Sequence, residues 1–519
     1  MKVLICILFV LIGINCLGQS DGAIDTSFGI NGISLSNLSL GGYAKKIRLN
    51  SVGKIVSAGT IYGASTTEYN FGATQINPNG TLDMNFGQSG IFTYDFGYDD
   101  HCTSLCIQPD DKIILGGYST TIISFNPFVI ITKFALLRLN PNGTLDTTFN
   151  HTGTLEVSYP NVLCAITGLT IQSDGKIIAV GTFNPTSSVQ FSALRINSNG
   201  TIDSTYGTNG LVNFQFENVY KNDLVNCVAI QTDNKILIGG NSNLPTVGKV
   251  IALCRLNSDG SLDTSFGNNG KVVTDIPTNI NDIANAITLQ NNGSIVLAGT
   301  TFNNKLIAIC KYDINGIPDA TFGASGIQLF DLSNGNDVAF DVITQNDSKL
   351  VIVGYASSSA YILRIKDNGM IDSTFNNTGI NLFGDASSNE GFYSVVQDVQ
   401  NRLLVGGFIF DSLMKQQFSV VAFKSVLFSD IKKLDRKCSL LVYPNPTSDL
   451  ITIDYSLINY SNVKIQLINS LGENLFEYTN NQTLGKYKLT IDVKKFTSGI
   501  YYLIFSDGSK TKHSKVIIY

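Results

Sequence analysis

Short apolar runs, separated by Gly, Asn, Asp and Ser, follow one another along nearly the whole chain. In "LTIQSDGKIIAVG" from Leu169 and "VAIQTDNKILIGG" from Val228, two apolar runs flank a two-residue turn signal. Asp-Gly and Asn-Gly accept the positive φ angles of a tight hairpin, so each copy of this hairpin motif predicts strand, turn, strand. A third run, such as "FALLRLN" from Phe134, is apolar on both faces and predicts a strand that is covered on both sides.

A second motif recurs between the hairpins. The copy "LNSDGSLDTSFGNNG" from Leu256 is typical, and we call this pattern the aspartate motif. Its seven copies carry Asp25, Asp83, Asp146, Asp203, Asp263, Asp319 and Asp372, at a mean spacing of about 58 residues. A short strand such as "KVVTDI" from Lys271 follows each copy, which makes about four strands per repeat.

Repeats of this kind predict an all-β fold, a seven-bladed β-propeller with four strands per blade, in residues 19–425. The period is too short for immunoglobulin-like modules of about 100 residues, and no helical pattern supports a solenoid. The first repeat lacks a preceding third strand and the last lacks a following aspartate motif, so the two ends are complementary.

The aspartate motif has a structural interpretation. Its Asn/Asp-Gly pair supplies a turn, Phe266 can wedge between neighbouring repeats, and Gly267 and Gly270 redirect the chain. In five repeats the preceding strand carries a basic residue at one register, namely Arg138, Arg195, Arg255, Lys311 and Arg364. We therefore predict a repeated contact between this cation and the motif aspartate.

Composition excludes some function classes. Charged residues make up 14% of the chain, against about 25% in an average protein, and the net charge is -5. We find no dense Lys/Arg patch interleaved with aromatic residues, so nucleic acid is not an expected partner.

The cysteines do not predict a disulfide framework. Beyond Cys6 and Cys16, the chain has Cys102, Cys106, Cys164, Cys227, Cys254, Cys310 and Cys438, an odd number without common spacing. Cys254 and Cys310 replace aliphatic residues of the third strand, which indicates small buried hydrophobic groups. The spacing of Cys102 and Cys106 lacks a second pair for zinc.

The N-terminus reads as a signal peptide over residues 1–18. Lys2 precedes an apolar run from Val3 to Ile14, and small residues precede a predicted cleavage between Gly18 and Gln19. A membrane anchor is the alternative, but the run is shorter than the roughly 20 residues of a spanning helix. A lipoprotein at Cys16 would want a small residue where Asn15 stands. We expect no transmembrane segment in the mature chain.

The C-terminal part differs in charge and pattern. Residues 430–519 carry 12 Lys and Arg against 8 Asp and Glu, whereas residues 1–429 carry 23 against 32. We predict an exposed linker over residues 426–437 and a separate domain over residues 438–519. The alternating runs of that domain predict a small immunoglobulin-like β-sandwich.

Two family resemblances follow from these motifs. "DGSLDTSFGNNG" and "IQSDGKIIAVG", in order and at this period, resemble the delta-60 repeat, a bacterial β-propeller repeat to which no catalytic residues are assigned. The C-terminal domain resembles the type A sorting domain of the type IX (Por) secretion system. The positions that carry this second resemblance are Tyr443, Pro444, Asn445, Pro446, Gly499 and Lys515.

The second resemblance implies where the protein is delivered. Such a domain would engage the type IX secretion machinery, direct a periplasmic intermediate across the outer membrane and be removed by a sortase-like peptidase. The propeller would then be released or attached to surface lipopolysaccharide. The alternative is a plain immunoglobulin-like accessory domain. We predict cleavage within the linker.

Candidate chemistry is sparse, and we predict no cofactor and no metal site. Among the three histidines, His101 lies beside Asp99 and Asp100, which makes this cluster the best candidate acid/base or metal site; a solvated loop tip is the plainer interpretation. Four glutamates in variable loops, Glu68, Glu156, Glu217 and Glu390, leave paired carboxylates open. Asn257, Asp259 and Asp263 do not match a calcium loop, and turn chemistry explains them better.

We therefore expect a non-catalytic, secreted or cell-surface binding module for an unidentified carbohydrate or protein. Its unequal loops around residues 117–133 and 241–249 offer the predicted contact surface. The alternatives are an extracellular polysaccharide-degrading propeller enzyme and a structural surface-layer component.

Overall fold

The computed structural model describes two compact units, which divide after residue 426. The described residues are 21–63, 68–125, 128–185, 188–216, 222–244, 247–277, 281–301, 305–333, 335–384, 390–425, 440–457, 461–483, 485–507 and 511–519. The predicted signal peptide, its cleavage site at Gly18 and Gln19, and the predicted linker lie outside them. Strands, turns and one 3-10 helix, Phe149–His151, make up the regular structure of the described residues.

The described residues of the first unit form seven four-stranded antiparallel sheets. Strand β1 (Ile33–Leu35) belongs to the last of them. Sheet 1 contains β2 (Gly42–Leu49), β3 (Ile55–Tyr62), β4 (Tyr69–Ile76) and β5 (Ile91–Tyr94). Sheet 2 contains β6 (Asp99–Ile107), β7 (Ile113–Phe125), β8 (Phe128–Leu139) and β9 (Thr154–Val157). Sheet 3 contains β10 (Val162–Ile171), β11 (Ile177–Pro185), β12 (Gln190–Ile196) and β13 (Leu211–Phe214).

The remaining sheets repeat this order. Sheet 4 contains β14 (Leu224–Ile230), β15 (Ile236–Leu244), β16 (Gly248–Leu256) and β17 (Lys271–Thr274). Sheet 5 contains β18 (Asp282–Leu289), β19 (Ile295–Thr301), β20 (Leu306–Tyr312) and β21 (Ile327–Phe330). Sheet 6 contains β22 (Asp337–Thr344), β23 (Leu350–Ala356), β24 (Ser359–Ile365) and β25 (Ile380–Phe383). Sheet 7 contains β26 (Gly391–Gln397), β27 (Leu403–Phe410), β28 (Gln416–Phe423) and β1.

The first strand of each sheet lies at the centre. β2 contacts β6, and the contacts continue through β10, β14, β18, β22 and β26 back to β2. These strands therefore surround a channel. Because the strands of each sheet are antiparallel, the connections alternate between two ends. The hairpin turns and aspartate motifs share one end, which we call the turn end, and the longer connections share the other, the loop end.

Sheet 7 combines both termini of this unit. β1 pairs with β28 in an antiparallel register that places Ile33 opposite Val421. The Asn376 N–H also donates to the Asp21 carbonyl at 2.7 Å. The complementary ends predicted from the repeats thus meet in one sheet.

The aspartate motif links each sheet to the next. In every copy, the backbone N–H after the aromatic residue donates to a carbonyl in the Asn/Asp-Gly turn of the following copy. The donor and acceptor pairs are Gly29–Asn79, Gly87–Asn142, Asn150–Asn199, Gly207–Asp259, Gly267–Asn315, Gly323–Asn368 and Asn376–Asp21. These bonds form a closed circuit at the turn end, which explains why the motif recurs.

The predicted contact between the aspartate and the strand cation is confirmed. The N···O distances are 2.7 Å for Arg138–Asp146, 2.8 Å for Arg195–Asp203, 2.7 Å for Arg255–Asp263, 3.4 Å for Lys311–Asp319 and 2.8 Å for Arg364–Asp372. Sequence reasoning missed a second cation, the lysine of the hairpin motif. Lys235, for example, lies 3.0 Å from the same Asp263 oxygen.

Apolar side chains fill the spaces between adjacent sheets. Phe266 is fully buried and packs with side chains of sheets 4 and 5, as its predicted role between repeats requires. Cys254 and Cys310 are likewise fully buried, and each replaces an aliphatic group of the third strand. Buried apolar surface of this kind is the main stabilising contribution to the ring.

The second unit has two antiparallel sheets. One contains β29 (Leu440–Tyr443), β30 (Leu450–Leu457) and β33 (Gly485–Asp492). The other contains β31 (Ser461–Asn469), β32 (Asn474–Gln482), β34 (Gly499–Ser506) and β35 (Thr511–Ile518), in the order β32-β31-β34-β35. A single apolar cluster draws Ile451 and Ile453 from the first sheet and Val463, Leu503 and Val516 from the second.

Candidate functional site

His101 lies near the start of β6, at the loop end of the channel. Its Nε2 atom is 3.2 Å from Asp99 Oδ1, and its Nδ1 atom is 3.3 Å from the Tyr43 hydroxyl. Burial lowers the pKa of His101, although the Asp99 charge opposes the shift, so the imidazole is neutral at pH 7. In the tautomer that is protonated at Nε2, the ring N–H lies on the side of Asp99, and Nδ1 accepts the Tyr43 proton.

Asp100 does not join this pair. Successive side chains of a strand point to opposite faces, so Asp100 turns away from Asp99 and His101 and is fully buried. It accepts the Phe96 N–H at 2.5 Å. Burial raises the pKa of Asp100 to about 6, although the backbone N–H lowers it. The same arrangement recurs at Asp223, Asp282 and Asp337, which identifies it as a structural feature of the repeat.

His101 belongs to a chain of half-buried rings that breaks the repeat symmetry. Its ring lies between Tyr69 and Tyr118, with centroid distances of 4.8 and 4.9 Å. Tyr62 contacts Tyr69 at 5.7 Å and Tyr43 at 6.2 Å. Sheets 1 and 2 thus contribute five neighbouring rings at the loop end.

The chain of rings continues on the other side of Lys45. The ammonium nitrogen of Lys45 lies 4.0 Å from the centroid of Tyr393 and 5.2 Å from that of Tyr43. Tyr393 contacts Phe340 at 4.6 Å, and Phe340 contacts Tyr355 at 5.6 Å. We call the whole set the aromatic arc: Tyr43, Tyr62, Tyr69, His101, Tyr118, Phe340, Tyr355 and Tyr393.

A bulge in each first strand positions part of the arc. The register of β2 shifts between Ala44 and Lys46, which leaves Lys45 as the extra residue. Phe340 and Tyr393 are the bulged residues of β22 and β26. A bulge re-aims a side chain, and these three therefore point into the channel region instead of between sheets.

Sheets 3 to 5 carry small polar residues at the same position. Asn226 and Asn285 donate from their side-chain amides to the Ala284 and Ala339 carbonyls of the next sheet, each at 2.8 Å. At these bulge positions, Asn226 and Asn285 therefore join neighbouring sheets. The aromatic arc is confined to sheets 1, 2, 6 and 7. The sequence shows the aromatic residues but does not show the bulges that bring them together.

Burial shifts the ionisation of the arc. It raises the pKa of Tyr62, Tyr118 and Tyr393 to about 12. It lowers the pKa of Lys45 to about 8, and the Lys46 charge acts in the same direction. At neutral pH the arc therefore presents uncharged phenol groups around one mostly protonated amine, a surface suited to stacking and hydrogen bonding.

The four loop glutamates have separate roles or positions. Glu156, in the outer strand β9, accepts from Ser119 Oγ at 2.5 Å and pairs with Lys133 at 3.3 Å. Glu390 is buried beside the start of β26, and Glu68 is exposed beside Gly63. Glu217 lies outside the described residues. The described carboxylates thus lie in an outer strand, just before an inner strand and in a loop.

The oxygens considered for calcium serve the turn. Asp259 accepts the Ser261 N–H at 2.9 Å and its hydroxyl at 2.7 Å. Asp263 accepts from Ser265 with one oxygen and from Arg255 with the other. Turn chemistry accounts for these contacts.

The C-terminal positions singled out from the sequence come together in the second unit. Asn445 donates from Nδ2 to the Lys515 carbonyl at 2.6 Å, and its Oδ1 accepts the Ile517 N–H at 2.9 Å. Gly499 pairs with Ile518 in the β34–β35 ladder. Tyr443 donates to Asp454 at 2.6 Å, and Pro444 and Pro446 are exposed beside it.

Two family models match the chain. Residues 441–519 match the secretion system C-terminal sorting domain. Residues 108–149, 172–206, 231–266 and 345–375 match a β-propeller domain of unknown function (DUF5122). The chain is a β-propeller protein with a C-terminal sorting domain. Both resemblances inferred from the sequence are thereby confirmed, and the sorting domain directs type IX secretion to the cell surface or extracellular space.

Solved structures resemble the propeller only distantly. A protein of unknown function from Dyadobacter fermentans is 10% identical with a TM-score of 0.41, over 76% of this chain and 100% of that one. A protein from Lactobacillus plantarum is 10% identical with a TM-score of 0.40, over 72% and 97%. Prolyl oligopeptidase B from Galerina marginata is 9% identical with a TM-score of 0.38, over 82% and 57%.

None of the curated protein sequences matches the chain. Within the described residues, no helix has the length and apolar character to cross a membrane.

Proposed function

We propose that the mature protein is a non-catalytic binding module at the cell surface or in the medium, whose ligand docks on the aromatic arc. The ligand is an extracellular carbohydrate or protein. The confinement of the arc to four of seven sheets supports this proposal, because a structural role would recur in every repeat. Amphipathic tyrosines are also the side chains that binding surfaces favour, since they bury large areas and lose little conformational entropy.

The proposal includes the finer architecture and the route of export. The seven sheets are the blades of one closed propeller, and the second unit is an immunoglobulin-like sandwich. A signal peptide brings the chain to the periplasm, and the type IX machinery then moves it across the outer membrane. Its sortase-like peptidase cleaves within residues 426–437 and leaves the propeller released or attached to lipopolysaccharide.

The hairpin of β7 and β8 supports a contact surface at the same end. These strands have 13 and 12 residues, longer than their counterparts in the other sheets, so the hairpin extends beyond the loop end. Ile123, Val129 and Ile130 are exposed on it, at 60, 39 and 37%. The hairpin belongs to sheet 2, which also holds His101 and Tyr118, and it would add apolar contacts for a ligand on the arc.

A second candidate function is degradation of an extracellular polysaccharide. The contact between His101 and Asp99, both partly exposed, favours it because a carboxylate can orient a neutral imidazole for proton transfer. The buried Asp100 has no access to a substrate in this arrangement.

The test is electrophoresis of the exported chain through gels cast with different polysaccharides, which are then stained for degradation. We expect retarded migration with the polysaccharide intact. Tyr393→Ala should weaken the retardation by about tenfold in apparent Kd, as expected for loss of a central aromatic contact. Tyr159→Ala, which removes an aromatic pair with Phe183 outside the arc, should leave the retardation unchanged.

Other results would select another function. A cleared track that disappears in Asp99→Asn and His101→Gln would establish the enzyme instead. Unchanged migration in every gel would exclude the tested carbohydrates and direct the search to protein partners. Equal retardation of wild type and Tyr393→Ala would remove the arc from the proposal.

A further inference from the structure

The channel contains a small basic cavity on the turn side of the aromatic arc. Its volume is about 50 Å³, and its lining includes Lys46, Arg48, Ser104, Asn226, Cys227 and Asp341. A volume of this size holds a few water-sized groups. Its lining residues lie outside the aromatic arc, which separates this cavity from the proposed ligand site.

One of the two cations in the cavity is already neutralised. Lys46 pairs with Asp341 at 3.2 Å. Asp341 also accepts the Ser394 hydroxyl at 2.8 Å and the Val395 N–H at 3.1 Å. This carboxylate is therefore held by sheet 7 and by Lys46, and Lys46 has its counter-charge.

Arg48 has no such partner in the described part of the chain. Its Nη1 donates to the adjacent Ile47 carbonyl at 2.8 Å. This bond uses one of the five N–H donors of the guanidinium. At its register, the other first strands carry only uncharged residues, namely Cys106, Thr170, Ala229, Thr288, Ile343 and Val396. The Arg48 guanidinium therefore adds a positive charge to the cavity, beyond the paired charges of Lys46 and Asp341.

Ser104 supplies a neutral donor in the same cavity. Its oxygen accepts the Leu169 N–H at 3.0 Å, so its hydroxyl hydrogen is available to a further acceptor. Ser104 is 4% exposed, and the sheets around it exclude bulk solvent from most of its surface. Electrostatic attraction is stronger in such surroundings than in water.

We propose that this cavity binds a monoatomic anion of the halide class, held by the Arg48 guanidinium and the Ser104 hydroxyl. The charge of Arg48 selects the sign of the ion, and the small volume of the cavity favours a small ion. The anion would hold sheets 1 and 2 together at the channel wall. This site is independent of the aromatic arc and of any ligand bound there.

Bromide tests the site directly, because its anomalous scattering locates it in crystals of the exported chain. We expect a bromide peak within about 3.5 Å of an Arg48 nitrogen, the range of charge-assisted contacts to a large ion. The peak should be absent in Arg48→Gln and retained in Lys366→Gln, which removes an exposed lysine from the turn end. No peak at Arg48 in the wild type, or a peak there that survives in Arg48→Gln, overturns the proposal.

Thermal unfolding gives a second measurement that does not require crystals. Replacing sodium gluconate by sodium bromide at equal ionic strength should raise Tm by about 1–2 °C in the wild type and in Lys366→Gln, because an ion that binds only the folded state stabilises it. Arg48→Gln should lose this increment. Equal Tm values of the wild type in the two salts contradict the site even if the variant fails to fold.

Discussion

At the scale of single residues, the contacts of its aspartate explain why the aspartate motif is repeated. One oxygen of Asp263 accepts from Ser265 and the other from Arg255 and Lys235. Burial by itself would raise the pKa of Asp263, but hydrogen bonds from Ser265, Lys235 and Arg255 hold it well below its usual value. Arg255 also donates to the Ile314 carbonyl of the next repeat at 2.6 Å, so the pair joins two sheets.

The Arg255–Asp263 pair should show non-additive energetics. Asp263→Ala should reduce the free energy of unfolding by about 3–5 kcal/mol, because it leaves the buried Arg255 guanidinium without its counter-charge. Arg255→Ala should cost less, because Lys235 still pairs with Asp263. The double variant should lose less than the sum, with a coupling energy of about 0.5–3 kcal/mol, measured by urea denaturation followed by circular dichroism.

A matched cycle on Lys133 and Glu156 controls for surface effects. This pair is 3.3 Å apart, and both side chains are partly exposed, at 21 and 33%. Exposed pairs contribute little, so its cycle should be additive within about 0.5 kcal/mol. Full additivity of the Arg255–Asp263 cycle as well would mean that the contact does not stabilise the junction between sheets.

At the scale of elements, the first strands of the sheets have two tasks. At the start of this strand in sheets 2, 4, 5 and 6, a buried carboxyl accepts a backbone N–H from the preceding connection. In sheets 1, 6 and 7, the bulge of this strand directs Lys45, Phe340 and Tyr393 toward the channel. In β18, Asp282 is fully buried and accepts the Ile276 N–H at 3.1 Å. Burial raises the pKa of Asp282 to about 6, the Ile276 N–H lowers it and the Asp275 charge raises it.

Asp282 should make the protein less stable as pH rises from 4 to 7. Its folded pKa of about 6 exceeds its ordinary value of 3.8, so the folded state binds the proton more tightly. This contribution is fully present below pH 3.8 and is lost as pH rises through 6. A shift of this size corresponds to about 2–3 kcal/mol.

Asp282→Asn keeps an oxygen for the Ile276 N–H and removes the titration. Denaturation midpoints at pH 4 and pH 7 should therefore differ less in this variant than in the wild type. Asp367→Asn, at an exposed aspartate of the turn end, serves as the control and should retain the wild-type pH response of Asp282. An unchanged pH response in Asp282→Asn would contradict the role of burial at this position.

At the scale of the whole propeller, closure depends on the N-terminal segment. The Asp21 carboxylate accepts a hydrogen bond from Arg364 Nη2 at 2.5 Å, and β1 completes sheet 7. These contacts link residues more than 340 positions apart in the chain. Sheet 7 therefore needs a strand from the other end of this unit, unlike the sheets whose four strands follow one another in the chain.

Deletion of residues 19–35 should lower Tm by at least about 5 °C, because sheet 7 loses its outer strand and the Asn376 and Arg364 contacts to Asp21. A synthetic peptide of residues 19–38 should restore part of the loss in thermal unfolding, whereas a scrambled peptide should not. An unchanged Tm after the deletion would show that the ring does not need this closure.

Local information was sufficient for the repeated elements. Turn residues and apolar periodicity depend on neighbours a few positions away, so the hairpin motif and the motif aspartate predicted strands, turns and the cation contact correctly. The Tyr443–Pro446 block and the chain-terminal strands likewise carried the secretion signal in their own order. These features predict the propeller and the sorting domain without tertiary information.

Only the tertiary structure decided which side chains meet. Tyr43, His101 and Tyr393 are neighbours because inner strands of different sheets approach one another around the channel, and no local pattern encodes that distance. The bulges at Lys45, Phe340 and Tyr393 shift side-chain direction by one residue, which a period-2 pattern does not reveal. The sequence by itself therefore determined the repeat and the sorting domain. Packing between sheets determined which side chains form the aromatic arc.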